Sequence, residues 1–272
     1  MDKKKMILPA AALAGLGMLG WAHFVEPERL VVTRLALGEK TAGREVRVAF
    51  FTDTHFGKDN AVDNMVRIAG RINSERPDMV IFGGDLMDQY CRDKPDLEQL
   101  SAGLAAVIAP LGKYAVWGNH DYSGYAESVY PKVMERGGFT LLRNRSKVLE
   151  RQGLAVTGVD DWMAGEPLRE AAERAPDSAF QLLVSHEPDL MDNMDTRRVG
   201  LALAGHTHGG QVRLPLLKFA PVLPKGGKSH VKGLGLLKNG RTPVFVSSGI
   251  GTAHLRLRMW NPPEIAILDI RY

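Results

Sequence analysis

The segment Val48–His55 ends a strongly apolar run in an aspartate and a histidine two positions apart, Asp53 and His55. Near-continuous apolar runs are typical of strands buried on both faces of a parallel sheet. In open α/β sheets, ligands bind beyond the carboxyl ends of such strands. Carboxylate and imidazole both bind metals, so this strand end is a candidate metal site. Taken alone, the pair has a simpler explanation, in which Asp53 caps a loop and His55 is incidental.

The same pattern occurs four more times along the chain. Each time a short apolar run ends in Asp, Asn or His, and glycines before three of these clusters allow a sharp turn or a close approach to a ligand. Five such clusters in one chain indicate a shared site. The residues that they contribute as metal ligands are Asp53, His55, Asp85, Asn119, His186, His206 and His208.

This mixture of carboxylate, amide and imidazole indicates the kind of metal. It suits Mn²⁺, Fe or Zn²⁺ better than a thiolate site or an all-oxygen Ca²⁺ site. Seven ligands exceed what one ion needs, and a carboxylate can bridge two ions, so the pattern favours two divalent ions about 3.5–4 Å apart. Such pairs activate water and bind the phosphoryl oxygens of an in-line displacement.

Length and composition limit the alternatives. A chain of 272 residues, 44% hydrophobic and 24% charged, is long enough for one large α/β domain and is not disordered as a whole. The net charge of +4 favours anionic partners without naming one, and no nucleic-acid partner is expected because no binding motif is present. The single cysteine, Cys91, excludes an intramolecular disulfide and a cysteine-cluster metal site.

The N-terminus carries a second signal. Three lysines precede residues 6–25, which are apolar or small except for Pro9 and His23. As a helix, such a segment would span the roughly 30 Å hydrocarbon core, and the basic flank predicts an N-in anchor. The favoured interpretation is an uncleaved anchor in a bacterial inner (cytoplasmic) membrane.

Three other interpretations of this segment stay open. They are a signal peptide cleaved after Ala22, a segment lying in one leaflet, and a buried core helix. The face of the membrane that would carry the active site is also open. The predicted organisation is an anchor or signal-anchor over residues 1–28 and a catalytic domain over residues 29–272.

The intervening elements predict an α/β fold. Apolar stripes at helical spacing indicate helices over residues 61–76 and 97–109, and a third helix is expected over 125–136. Strands alternate with these helices, which predicts parallel pairing through right-handed crossovers. The second half is richer in strands and predicts a second sheet facing the first. The further predicted strands are 30–37, 139–142, 147–150, 154–159, 180–185, 200–204, 211–214, 244–248 and 265–270.

The ordered motifs Asp-x-His, Gly-Gly-Asp, Gly-Asn-His-Asp, a lone His and Gly-His-Thr-His resemble those of the calcineurin-like metallophosphoesterase superfamily, over about residues 46–270. The resemblance implies a four-layer α-β-β-α sandwich of two mixed sheets. It also implies two metal sites that share Asp85 as a bridge. One site would be formed by Asp53, His55 and His208, and the other by Asn119, His186 and His206.

The same resemblance implies two catalytic residues. His120 would contact the phosphate and assist the leaving oxygen, and Asp88 would orient His120. The arginine that often follows this aspartate in related protein phosphatases is Gln89 here. Protein phosphatase activity is therefore not expected.

A narrower similarity is to bacterial YkuE/YaeI-like phosphoesterases, carried by His208-Gly209-Gly210-Gln211-Val212 and by the C-terminal glycine-rich segment. Relatives of this group include a UDP-2,3-diacylglucosamine diphosphatase. The implied activity is metal-dependent hydrolysis of a phosphodiester or pyrophosphate, with Mn²⁺ favoured and a small-molecule or lipid-linked phosphate as substrate. A broad-specificity extracytoplasmic phosphodiesterase or phosphomonoesterase and a non-catalytic metal-binding scaffold remain alternatives. The oligomeric state is not predicted.

Two arginines close to the C-terminus have no assigned role. Arg256 and Arg258 alternate on a predicted strand, and they are interpreted as a solvated or phosphate-facing stripe rather than as catalytic residues.

Overall fold

Two β-sheets and the helices that flank them make up the fold. The computed structural model describes the backbone of residues 3–39, 41–213 and 220–272. Its helices in this part of the chain are α1 (Lys3–Gly20), α2 (Asn64–Ser74), α3 (Tyr90–Asp93), α4 (Leu97–Ala105), α5 (Asn119–Tyr122), α6 (Tyr130–Arg136) and α7 (Pro188–Met191). Its strands are β1 (Val31–Leu37), β2 (Glu45–Phe51), β3 (Met79–Phe82), β4 (Lys113–Ala115), β5 (Phe139–Leu141), β6 (Arg145–Leu149), β7 (Leu154–Gly158), β8 (Phe180–Val184), β9 (Val199–Ala204), β10 (Gly233–Leu236), β11 (Pro243–Val246) and β12 (Glu264–Arg271).

The strands form two six-stranded mixed sheets. The first has the order β1-β12-β2-β3-β4-β5 and the second has the order β10-β11-β9-β8-β7-β6. In the first sheet, β2, β3, β4 and β5 run parallel, while β12 lies antiparallel to β2. In the second, β7, β8, β9 and β11 run parallel, with antiparallel strands at both edges. The predicted α/β fold with two mixed sheets is confirmed.

The core explains why β2 is apolar throughout. Side chains alternate between the two faces of a strand, so Val48 and Phe50 enter the core between the sheets while Ala49 and Phe51 face the helices. A third cluster covers the outer face of the second sheet, where Leu190 and other apolar side chains pack on it. The layers are therefore helices, sheet, sheet and helices.

The helices on the first sheet match the predicted stripes but are shorter. In α2, Met65, Ile68 and Ile72 are buried at i, i+3 and i+7, as expected for one face of a helix. Helix α4 ends at Ala105, four residues before the predicted end. The amide of Asn73 donates to the carbonyl of Ala106, and its oxygen accepts from the N–H of Ile108, so this backbone bonds to a side chain of α2 instead of continuing the helix.

The predicted and the observed strands differ at two places. The predicted strand 211–214 contains only an isolated bridge between Val212 and Met259, and residue 214 lies outside the described residues. Conversely, β10 was not predicted, because its sequence Gly-Leu-Gly-Leu has little strand propensity. It gains its structure by pairing with β11.

The predicted membrane anchor over residues 6–25 is wrong. Among the described residues, no helix is long and apolar enough to cross a membrane, so an inner-membrane location is not supported. Helix α1 begins with three lysines, and its apolar part, residues 6–20, would extend only about 23 Å at 1.5 Å per residue, against a core of roughly 30 Å. Beyond Gly20 the chain changes to a π-helical turn and then a 3₁₀ turn.

Candidate metal centre

The first two candidate ligands lie where β2 ends. Asp53 and His55 have backbone φ angles of 53° and 45°, in the left-handed region that side chains other than glycine rarely adopt. Two hydrogen bonds to the loop after β3 hold them there: the N–H of Asp53 donates to Gly84 at 2.9 Å, and that of His55 donates to Asp85 at 3.1 Å. Both side chains are buried.

Asp85 lies in the adjacent loop, which is compressed against the loop after β4. A Cβ added to Gly84 would lie 2.7 Å from the backbone nitrogen of Gly118, so only glycine fits there. The carboxylate of Asp121 accepts the N–H of Asp85 at 2.8 Å, and Asp85 Oδ1 accepts the N–H of His120 at 2.8 Å. These bonds connect the two strand ends.

Asn119 and His120 begin α5 directly after the loop at Gly118. The amide oxygen Oδ1 of Asn119 is buried and has no hydrogen-bond partner among the described residues. The ring nitrogen Nδ1 of His120 lies 2.7 Å from the backbone oxygen of Asp88, and the aspartate carboxylate is farther away, at 3.4 Å. The predicted contact between Asp88 and His120 is therefore made mainly through the main chain.

The carboxylate of Asp88 has other partners. It accepts a hydrogen bond from Arg92 at 2.8 Å and lies 3.6 Å from Nδ1 of His55. The nearby imidazole of His55 and the neighbouring arginine lower the pKa of Asp88 to about 2, although partial burial opposes the shift. Arg92 thus supplies a guanidinium beside this aspartate, although Gln89 occupies the position where the sequence pattern would place one.

The second sheet supplies three histidines. Nδ1 of His186 is hydrogen bonded to the carbonyl of Gly83 at 2.8 Å, and Nε2 of His206 to the carbonyl of Lys225 at 2.8 Å. Backbone carbonyls commonly fix the ring orientation of metal-binding histidines in this way. The free Nε2 of His186 lies 3.1 Å from Asp85 Oδ2 but is not aligned for a hydrogen bond. In His208, Nε2 lies 3.0 Å from Nε2 of His55.

The candidate ligands fall into overlapping groups whose ligand atoms lie within 4.8 Å of one another. Asp85 Oδ2 lies 3.5 Å from Nε2 of His55 and 3.1 Å from Nε2 of His186, so one oxygen faces two of these groups. The three groups are Asp53 with His55 and His208, Asp85 with His186 and His206, and His55 with Asp88 and His120.

The protonation preferences suit a cation. Burial opposes ionisation of Asp85, but His186 and His120 outweigh it and hold its pKa well below the carboxyl range. Burial and neighbouring positive charge hold the pKa of His208 well below its usual value, and burial also lowers the pKa of His206. Metals bind neutral imidazole and ionised carboxylate, which are the forms favoured here.

His186 and His120 behave differently. Burial lowers the pKa of His186, but Asp85 outweighs it and raises that pKa well above the usual value. The proton on His186 therefore offsets the charge of Asp85 where a cation would otherwise do so. Burial also lowers the pKa of His120, yet Asp85 and the backbone of Asp88 raise it overall, which favours the protonated ring.

The sequence pattern gave no role to three buried residues. Asp121, the last residue of the Gly-Asn-His-Asp motif, accepts N–H groups of Gly118, Asp85 and Leu86. Its position three residues after Gly118 is the helix-capping position, which is the signal that could have identified it. The other two, Asn261 and Arg258, lie behind His208. Arg258 is fully buried, so its interpretation as part of a solvated stripe is wrong.

A two-sheet α/β sandwich with carboxylates and imidazoles clustered at the strand ends fits a metal-dependent hydrolase. Residues 46–210 match the family model for calcineurin-like phosphoesterases, and the chain belongs to that family. Members of the family use a binuclear metal centre, and the clustered ligands fit one. The protein is accordingly a hydrolase of phosphoester bonds.

Curated relatives cover almost the whole chain. It is 31% identical to an uncharacterized metallophosphoesterase, YkuE, of Bacillus subtilis, over 97% of this chain and 93% of the relative. It is 27% identical to the phosphodiesterase YaeI of Escherichia coli, over 96% of both chains. It is 26% identical to the UDP-2,3-diacylglucosamine pyrophosphatase LpxG of Chlamydia trachomatis, over 93% of this chain and 92% of the relative.

Proposed function

We propose that residues 29–272 hydrolyse a phosphodiester or pyrophosphate with two divalent metal ions, Mn²⁺ being the favoured metal. The observation that supports this most directly is the position of Asp85, one of whose oxygens faces both His55 and His186. A carboxylate in that position suits a bridge between two ions.

The proposed ligands divide between the two ions as the motifs imply. Asp53, His55 and His208 would hold one ion, and Asn119, His186 and His206 the other. The unpartnered Oδ1 of Asn119 and the unpartnered Nε2 of His186 support this division, because buried polar atoms rarely lack a partner. When bound, the ions would supply Lewis acidity toward the phosphate and would lower the pKa of water.

The chain's own contribution to the reaction centres on His120. Its Nδ1 is held by the carbonyl of Asp88, which fixes the orientation of the ring. Because Nδ1 bonds to this carbonyl, Nε2 is the ring nitrogen that would donate a proton to the leaving oxygen. Arg92 donates to the carboxylate of Asp88 at 2.8 Å, whereas His120 bonds to the backbone oxygen of Asp88, so the main chain and not the carboxylate orients the His120 ring.

The substrate proposed within this class carries an apolar group. A cavity of about 130 Å³ opens beside His206 and His208, and its walls include Val222, Pro224 and Ala253. An apolar wall beside a phosphate-binding centre suits an ester whose alcohol is apolar. The pyrophosphatase named among the relatives acts on a diacylated sugar nucleotide, which supports a lipid-linked substrate here.

Three substrates tested side by side would distinguish the possibilities. Purified protein with Mn²⁺ would be given bis-p-nitrophenyl phosphate, p-nitrophenyl phosphate and UDP-2,3-diacylglucosamine. We expect release of UMP from the lipid nucleotide, and its loss in Asp85→Asn. Cleavage of the synthetic diester without the lipid nucleotide would leave a general phosphodiesterase. Inactivity toward all three with metal bound would contradict the proposal and favour a scaffold.

A further inference from the structure

The turn that carries His208 is held in an unfavourable conformation. His208 has a φ of 49°, and the next two residues, Gly209 and Gly210, also have positive φ angles. For a histidine this conformation is sparsely populated and persists only where the surroundings hold it. The side chain of Asn261 contacts this backbone directly. Its amide nitrogen donates to the carbonyl of His208 at 2.6 Å.

Asn261 is itself fixed on all sides. Its side-chain oxygen accepts from Lys232 at 2.6 Å, so both amide atoms are bonded and the amide has one orientation. Its backbone carbonyl accepts from Arg258 at 3.1 Å. A Cβ on Gly209 would lie 2.9 Å from Asn261 Oδ1, so the asparagine packs directly against the turn.

The remaining backbone group of Asn261 bonds to the N-terminal segment. Its N–H donates to Oε1 of Glu26 at 3.0 Å, a residue 235 positions away in the sequence. Glu26 is only 2% exposed, and its other oxygen accepts from Trp21 at 2.7 Å and from Arg29 at 3.3 Å. A buried carboxylate with three donors has a single arrangement, so it is a rigid partner for Asn261.

The segment that carries Glu26, here called the N-terminal brace (residues 21–28), docks on the C-terminal loop. The carbonyl of Ala22 accepts the N–H of Arg258 at 2.9 Å, and Nδ1 of His23 lies 2.7 Å from the carbonyl of Arg256. Arg258 in turn donates to the carbonyls of Ser248, Gly249 and Gly251. Arg258 thus links the brace by hydrogen bonds to the loops behind the candidate metal centre.

On the basis of the metal site of the proposed function, we propose that Asn261 and Glu26 are positioning residues for the metal ligand His208. Glu26 orients Asn261, and Asn261 holds the His208 turn so that the imidazole faces Asp53 and His55. Groups that orient a ligand in this way commonly change metal affinity by about 10- to 100-fold when they are replaced.

The central test compares two substitutions of the same chemistry. Asn261→Asp keeps the side-chain size and the acceptor for Lys232 but replaces the donor to His208 by an oxygen. Asn73→Asp is the matched control, since it removes an amide donor to the carbonyl of Ala106, 2.8 Å away and far from the metal centre, and keeps an acceptor for Ile108. Mn²⁺ affinity would be measured by competition with a chelator, below the melting temperature of each variant.

We expect Asn261→Asp to weaken binding of one Mn²⁺ by at least about tenfold and Asn73→Asp to leave it unchanged. The Mn²⁺ concentration for half-maximal activity should rise in parallel, while kcat at saturating Mn²⁺ recovers. A purely structural role would lower stability without this recovery. Equal Mn²⁺ affinity in Asn261→Asp and in the parent protein would overturn the inference.

A second pair of variants tests the role of the brace even if Asn261→Asp fails to fold. Glu26→Gln keeps an oxygen acceptor for the N–H of Asn261, whereas Glu26→Ala removes it. We expect weaker Mn²⁺ binding in Glu26→Ala and substantial recovery in Glu26→Gln. Equal affinity in Glu26→Ala and in the parent would remove Glu26 from the inference. If the parent protein binds no Mn²⁺, the proposed function and this inference fail together.

Discussion

At the residue scale, five of the seven candidate ligands share an uncommon backbone conformation. Asp53, His55, Asp85, His206 and His208 all have positive φ angles. Each such conformation costs a residue other than glycine about 1–3 kcal/mol, and such costs concentrate at functional sites. The positive φ angles turn each chain sharply at its strand end, and the hydrogen bonds between the loops maintain the turns. The strained backbone conformations therefore allow these side chains to converge on one site.

Removal of the proposed bridge is the most direct test at this scale. Asp85→Asn keeps the side-chain volume but removes the negative charge that would bind both ions. We expect turnover to fall by at least about 10²-fold, the scale of losing a main electrostatic contribution. Metal content and initial rate, measured on the same sample, check this. Two ions per chain together with an unchanged rate would contradict a bridging role.

His120→Ala should separate metal binding from proton transfer. Because His120 is not a proposed ligand, metal content should stay unchanged while kcat falls by about 10²–10⁴-fold, the usual scale of general acid catalysis. The loss should be smaller for a nitrophenyl ester, whose leaving group needs little protonation, than for an alkyl phosphodiester.

The control for this variant is His230→Ala, because His230 bonds to Asp192 at 3.0 Å, outside the ligand groups. Equal losses of kcat on both kinds of ester would argue against an acid role for His120.

At the scale of elements, the site depends on how closely the strand-end loops approach one another. A Cβ at Gly84 would lie 2.7 Å from the backbone nitrogen of Gly118 and 2.9 Å from Nδ1 of His186, at a φ of +96°. We therefore expect Gly84→Ala to displace Asp85 or His186 and to weaken Mn²⁺ binding by about tenfold or more. Chelator competition would measure the change.

The matched control is Gly70→Ala on α2, where no atom lies within 4 Å of the added methyl group. In a helix this change should stabilise the protein by about 0.4–1 kcal/mol and leave the metal affinity unchanged. If Gly84→Ala binds Mn²⁺ as tightly as Gly70→Ala does, the metal site does not depend on this close approach of the two loops.

Much of the strand layout could be predicted, because buried parallel strands appear in sequence as apolar runs that end in polar residues. The run before Asp53 marked β2 and its end correctly. The end of α4 could not be predicted, since Asn73, a residue of another helix, bonds to the backbone that would have extended it. The burial of Arg258 was equally invisible, because its partners are backbone carbonyls, which no side-chain pattern reveals.

At the scale of the whole molecule, the proposed centre lies where the two sheets meet. Asp53 and Asp85 follow strands of the first sheet, and His186 and His206 follow strands of the second. An apolar core also joins the sheets, but it ends where the ligands begin, so the charged groups at this edge face one another without apolar packing between them. Cations bound there would connect the two sheets and reduce the repulsion between Asp53 and Asp85.

Removal of metal should therefore destabilise the molecule. A ligand that binds only the folded state stabilises it by about 2.7 kcal/mol when its free concentration is 100 times its Kd. At about 2–4 °C per kcal/mol, chelation should lower Tm by about 5–10 °C, and added Mn²⁺ should restore it along a saturable curve.

Calorimetry of the parent protein and of Asp85→Asn, each with chelator and with Mn²⁺, would measure this change in Tm. The variant should lose the Mn²⁺-dependent part of Tm, because its bridging charge is gone. A parent protein whose Tm is the same with chelator and with Mn²⁺ would show that the ions, if bound, do not hold the sheets together.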